Sequence, residues 1–150
     1  MDQEKAEAMT NTEEPKRVVF ICVENSNRSQ MAEAFARMFG EGRVEAYSAG
    51  SRPSGRVHPK AIAAMRGLGY DLERHRSKGL WELPDVEFDI AVTMGCGDEC
   101  PALRAKRRED WNIPCPEEMP PEQFRAVRDQ IKEKVKELLA DFDLVLQESL

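Results

Sequence analysis

Cys22 and Arg28 are separated by five residues and Ser29 follows directly, in the run Cys22-Val23-Glu24-Asn25-Ser26-Asn27-Arg28-Ser29. The run lies where a β-branched stretch ends and a helical pattern begins. Such a loop can curl until successive backbone N–H groups and the positive end of the helix converge on one point, a cradle for a tetrahedral oxyanion. The same field favours the thiolate over the thiol and leaves a nucleophile at neutral pH. Arg28 offers a planar fork for two oxygens of the anion, and Ser29 a hydroxyl that donates to the sulfur. Asn25, in mid-loop, is a residue type that accepts left-handed torsions and braces a turn with its own amide. The expected anion-binding residues are therefore Val23, Glu24, Asn25, Ser26, Asn27 and Arg28, and the expected catalytic ones Cys22, Arg28 and Ser29.

Three more cysteines extend this chemistry. Cys96 and Cys100 lie in Met94-Gly95-Cys96-Gly97-Asp98-Glu99-Cys100-Pro101, and Cys115 precedes Pro116. In a reducing compartment, thiols serve catalysis, redox exchange or metal binding rather than structural bridges. A zinc site on Cys96 and Cys100 would lack a second cysteine pair, and the only histidines are His58 and His75. Gly95 and Gly97 flank Cys96 and lower the cost of rearranging its loop.

The elements that must position these loops follow from periodicity. Residues 1–16 carry neither helical nor strand pattern and read as a mobile leader, residues 17–142 as the domain, and residues 143–150 as a tail. Residues 17–22 form a strand, and Met31, Phe35, Met38 and Phe39 mark one face of a helix. A second strand over 44–48 is stopped by Gly50 and Pro53, and Pro59 opens a helix with Ile62, Met65 and Leu68 inward. Residues 88–94 are a buried strand, and Trp111-Asn112-Ile113 a short edge strand. Phe124, Val127, Ile131, Val135, Leu138 and Leu139 recur at spacings that mark a closing amphipathic helix. The charge-dense segments 104–110 and 132–137 read as solvated faces, as does the basic stretch 74–78 that contains His75, while His58 starts a helix. Strands alternating with helices give a doubly wound α/β fold, whose ligands sit outside the carboxyl ends of the strands. Cys22, Cys96 and Cys100 all follow such ends.

Composition sets the outer limits. The 150 residues suit one domain, and a net charge of −6 gives no basic footprint for nucleic acid. No apolar run approaches the roughly 20 residues of a membrane span, and the N-terminus lacks the apolar centre of a secretory signal. A cytoplasmic monomer is the expectation.

Cys22 to Ser29 resembles the phosphate loop of low-molecular-weight protein tyrosine phosphatases. The longer string Asn25-Ser26-Asn27-Arg28-Ser29-Gln30-Met31-Ala32-Glu33 is similar to the thioredoxin-coupled arsenate reductases built on that fold. The similarity continues through Tyr47-Ser48-Ala49-Gly50, Val57-His58-Pro59-Lys60-Ala61-Ile62, Val92-Thr93-Met94, Cys96 to Pro101, and Phe124-Arg125-Ala126-Val127-Arg128-Asp129-Gln130-Ile131. It implies a three-layer α/β sandwich around a four-stranded parallel sheet. It also implies that Cys22 attacks arsenate, that Cys96 attacks the adduct and releases arsenite, and that Cys100 resolves the Cys22–Cys96 disulfide. Reduction of arsenate takes two electrons, which a dithiol supplies on closing to a disulfide. The reductant would be thioredoxin, or glutaredoxin or another thiol. No tightly bound cofactor is implied, although in some members a potassium ion buttresses the loop. The matching positions, Asn25, Glu33, Ser48 and Asp71, are all oxygen donors.

One position departs from the pattern. The family places an Asp before a Pro shortly ahead of the final helix, to protonate the leaving oxygen, where this chain has Cys115-Pro116. A thiol's ordinary pKa lies about 4.6 units above that of Asp, and loss of a general acid removes on the order of 10²–10⁴ in rate. This argues against efficient phosphomonoester hydrolysis. Asp110, Glu117 or Glu118 as substitute acid, and Cys115 as a fourth redox thiol, stay open. Two other functions compete with reduction: a phosphatase working through a Cys22 thiophosphate, and an oxyanion-binding redox module without turnover.

Overall fold

A computed structural model describes residues 14–95 and 103–142. Residues 1–13, 96–102 and 143–150 lie outside the described residues, and with them the tail, most of the leader and the loop of Cys96 and Cys100.

The β-branched run becomes strand β1, Lys16–Cys22, in which Val18, Val19, Phe20 and Ile21 are all fully buried. Burial on both faces explains why the run is continuous rather than alternating. Strands β2 (Val44–Gly50) and β3 (Ile90–Thr93) flank β1, and β4 (Arg108–Asp110) lies beyond β3. The order is β2-β1-β3-β4, every pair parallel, with Cys22 opposite Gly50 and Ile21 opposite Thr93. From β1 the chain passes to β2 on one side and then to β3 on the other. The carboxyl end of β1 is thus the point where strand order reverses, where α/β sheets leave a crevice. Cys22 ends β1.

Helices α1 (Arg28–Phe39), α2 (Pro59–Arg66) and α3 (Pro121–Asp141) share one apolar cluster with Val18, Phe20, Ile90 and Val92. The spacing of Met31, Phe35 and Phe39 aligns them on the buried face of α1, and Phe35 stacks on Phe39. The opposite face of the sheet, Val19, Ile21 and Ala91 with Phe88, is covered by Tyr47, Leu83, Leu103 and a 3₁₀ turn at Leu80–Glu82. The α/β architecture and its four-stranded parallel sheet agree with the expectation from sequence.

The edge strand does not. It is Arg108–Asp110, within the segment read as a solvated face, rather than Trp111-Asn112-Ile113. An edge strand tolerates charge because one side of it faces water. Trp111 contributes one last hydrogen bond, N–H to the Thr93 carbonyl at 2.8 Å, and then the chain turns. Its indole packs on Phe20 and Ile113 is buried, so their hydrophobicity closes the core instead of extending the ladder.

Candidate active site

The loop after β1 is held from outside by its carbonyl groups. Val23 O accepts from Arg52 N–H, Glu24 O from Ser54 N–H and Ser77 Oγ, Asn25 O from Gln30 Nε2, and Ser26 O from His58 N–H. Across a trans peptide the N–H points opposite to the preceding carbonyl, so the amides of residues 24–27 turn inward. These are the donors of an anion cradle. Asn25 has φ 51°, the left-handed torsion expected of it. Gly50, opposite Cys22, leaves no room for a side chain, because a Cβ there would run into the carbonyls of Cys22 and Val23. Asn27 caps α1 by accepting from Arg28 N–H, which sets the helix start at the cradle.

Cys22 is 3% exposed, and its Sγ lies 3.0 Å from Ser29 Oγ. Behind that contact runs a chain of hydrogen bonds whose direction its members fix. Burial holds His75 neutral, its pKa lowered from 6.5 to about 4. Its Nδ1 donates to Gln30 Oε1 at 2.9 Å, so its Nε2 accepts from Tyr70 O–H at 2.7 Å. Gln30 Nε2 donates to Asn25 Oδ1 at 2.8 Å, and Asn25 Nδ2 to Ser29 Oγ at 2.8 Å. With its oxygen already accepting, Ser29 has its proton to give to the sulfur. Every donor from Tyr70 onward thus points toward Cys22, and chains of this kind strengthen their members. The sequence located Cys22, Asn25 and Ser29 but placed His75 on a solvated face; its ring is 6% exposed and belongs to the site's foundation. Gln30 carried no signal in periodicity, since it lies on a polar position of a helix start.

Arg28 begins α1 with its guanidinium buried. Its Nη1 donates to the carbonyls of Met94 at 3.0 Å and Ile113 at 2.8 Å, bracing the end of β3 and the segment after β4 against the cradle. Cys115, two residues beyond Ile113, is a free and exposed thiol. Asp110 is engaged elsewhere: its Oδ1 accepts from Thr93 Oγ1 at 2.6 Å and Gly95 N–H at 2.9 Å. It anchors the start of the Cys96 loop. Gly95 has φ 82°, and a Cβ there would crowd Asn112, so that turn requires glycine. Glu117 lies toward α2, its carboxylate 3.9 Å from His58 Nε2, while His58 Nδ1 caps α2 as expected. Cys96, Gly97 and Cys100 lie outside the described residues.

Of the four positions matched to a potassium ion, only Glu33 and Ser48 are seen to meet, while Asn25 and Asp71 are engaged elsewhere. Asn25 Oδ1 already accepts from Gln30 Nε2 and from Lys78 N–H at 2.8 Å. Glu33 Oε1 accepts the Ser48 hydroxyl at 2.6 Å. Asp71 is exposed, with its carboxylate on Glu73 N–H. Among the described residues no group of three His, Cys, Asp or Glu side chains is arranged to hold a metal ion.

The sequence matches the family described as low molecular weight phosphotyrosine protein phosphatase over residues 17–148. The glutaredoxin arsenate reductase of Synechocystis is 39% identical over 128 residues, 83% of this chain and 97% of that protein. A solved arsenate reductase in a phosphate-binding state superposes with a TM-score of 0.78 at 39% identity, covering 84% of this chain and 98% of its own. A thioredoxin-dependent arsenate reductase from Corynebacterium glutamicum gives a TM-score of 0.71 at 26% identity, over 94% of this chain and 71% of its own. Among the described residues no helix is long and apolar enough to cross a membrane. With its cysteine loop at the switch point of a parallel sheet and the family match over most of its length, the chain belongs to the low molecular weight phosphotyrosine protein phosphatase family.

Proposed function

We propose that this chain is an arsenate reductase that works through a thiol relay. The observation that carries the reading is the Cys22 sulfur, buried against Ser29 Oγ in a ring of inward amides, in a chain whose proton-donor position holds an exposed Cys115. The arsenate reductases among its relatives support it. Cys22 thiolate attacks arsenic(V): an S–As bond forms, an As–OH bond breaks, and the departing hydroxide takes a proton from solvent and leaves as water. The cradle amides and Ser29 stabilise the charges at either end of the new S–As bond. Cys96 thiolate then attacks Cys22 Sγ. The S–As electron pair passes to arsenic, arsenite leaves as As(III), and a Cys22–Cys96 disulfide remains. Cys100 thiolate attacks Cys96, returning Cys22 as thiolate and leaving a Cys96–Cys100 disulfide for an external dithiol. Thioredoxin is the proposed reductant, with glutaredoxin as competitor because one relative bears that name.

The test is arsenate-dependent NADPH oxidation coupled through thioredoxin and its reductase, repeated with glutathione and glutaredoxin. Loss of turnover in each of Cys22→Ser, Cys96→Ser and Cys100→Ser is expected. Full turnover by Cys96→Ser would overturn the relay. Hydrolysis of p-nitrophenyl phosphate by a chain inert toward arsenate would make it a phosphatase, and tight arsenate binding with neither activity an anion-binding module.

A further inference from the structure

The most deeply buried carboxylate near the site is Glu33 of α1, whose side chain is only 4% exposed. Four groups face it from three directions. Arg37, one turn along α1, pairs with Oε2 at 2.6 Å from the solvent side. Ser48 of β2 donates to Oε1, and neutral His75 lies 3.8 Å from the same oxygen. Lys78 completes the set from the segment before the Leu80–Glu82 turn. Its Nζ is 3.7 Å from Glu33 Oε1, 3.4 Å from Ser48 Oγ and 2.9 Å from the Arg76 carbonyl. We propose that the Lys78 ammonium is a tethered cation for the phosphate loop, occupying the Glu33–Ser48 position from within the chain and making the loop's stability independent of potassium.

Three features support this. Besides the Arg76 carbonyl, Nζ faces Ser48 Oγ and Glu33 Oε1, the members of the matched donor set that come together, while Asn25 Oδ1 is saturated by hydrogen bonds and Asp71 is exposed. A second monovalent cation beside Nζ would meet like-charge repulsion across a site with one carboxylate. Lys78 is also fixed by its backbone: its N–H holds Asn25 Oδ1, and its carbonyl accepts from Gly50 N–H at 2.9 Å. The ammonium is thereby delivered at little further ordering cost, by a residue that ties β2 to the loop carrying Cys22.

The experiment is thermal unfolding of the full chain in potassium chloride and in tetramethylammonium chloride at equal ionic strength. Wild-type midpoints should agree within about 1 °C. Lys78→Ala should lose on the order of 5 °C in tetramethylammonium chloride and regain a good part of it in potassium chloride, because the shortened side chain opens Glu33 and Ser48 to the ion. A wild-type midpoint that rises with potassium overturns the proposal. So does a Lys78→Ala chain as stable as wild type, and so does a loss that potassium leaves untouched. Should Lys78→Ala fail to fold, the wild-type comparison decides alone. The readout is independent of arsenate turnover, so this inference and the proposed function fail separately.

Discussion

Cys22 and Cys115 are both free thiols on segments that Arg28 ties together, since Arg28 opens the helix after one loop and holds the Ile113 carbonyl of the other. Their surroundings differ at almost every level. Cys22 ends a strand buried on both faces, meets Ser29, and stands at the head of a hydrogen-bond chain that reaches Tyr70. Cys115 is exposed between Pro114 and Pro116, residues that bring no N–H to its turn. A nucleophile aimed at one atom needs its position fixed within a fraction of an ångström, and here buried amides and a serine provide that. A group that only delivers or receives a proton tolerates looser placement, and the segment around Cys115 is held through its carbonyls, Ile113 O by Arg28 and the Glu117 and Met119 carbonyls by Lys60 Nζ. The contrast separates what the fold holds rigid from what it leaves adaptable.

The largest effect belongs to the rigid side. Cys22→Ser should lower arsenate turnover on the order of 10³-fold or more with the fold intact, measured by the coupled assay beside circular dichroism. On the adaptable side, Cys115→Asp should raise p-nitrophenyl phosphate turnover by about 10²-fold, since it restores a general acid without touching the cradle. No gain would count against matching the Cys115 segment to the family's proton-donor loop. Ser29→Ala should slow alkylation of Cys22 by iodoacetamide at neutral pH about 10-fold, because the sulfur loses its hydroxyl donor. Cys115 should react at an unchanged rate, an internal control for the comparison.

A last test probes the foundation of the rigid loop through stability, with no change in rate expected above pH 7. Burial, opposed by Glu33, lowers the His75 pKa from 6.5 to about 4, so as pH falls the unfolded chain takes up the proton first. The stabilisation from keeping this ring neutral is complete above about pH 6.5 and drains away from there down to about pH 4, by about 3 kcal/mol. His75→Asn, which keeps a donor near the Nδ1 position, should flatten that part of the stability profile in urea titrations. An unchanged profile would remove His75 from the loop's support.

Much of the site was legible because its chemistry is local. Cys22, Asn25, Arg28 and Ser29 occupy one short loop, and their types and spacing alone specify a strand end, a left-handed turn and a helix start. The helices were legible for a similar reason: apolar residues on one face of α1 and α3 leave a periodic trace. Trp111 and Ile113 misled because hydrophobicity records burial and not ladder pairing, and the charged edge strand beside them looked like solvent. His75 misled because its neighbours in sequence, Arg74 and Arg76, are exposed while its ring turns inward to Gln30.

The amino-acid order by itself determined the alternation of strands and helices, the thiol at the end of β1 and the oxyanion-shaped loop after it, since each depends on residues within a few positions of one another. Only the tertiary structure decided that Tyr70, His75 and Gln30 orient the hydroxyl of Ser29, and that Lys78 lies beside Glu33 and Ser48. The contacts that join separate segments, Glu33–Ser48, Gln30–His75 and Glu33–Lys78, span 15 to 45 residues of chain, and the burial that makes these hydrogen bonds and charges matter exists only once the sheet and helices have packed.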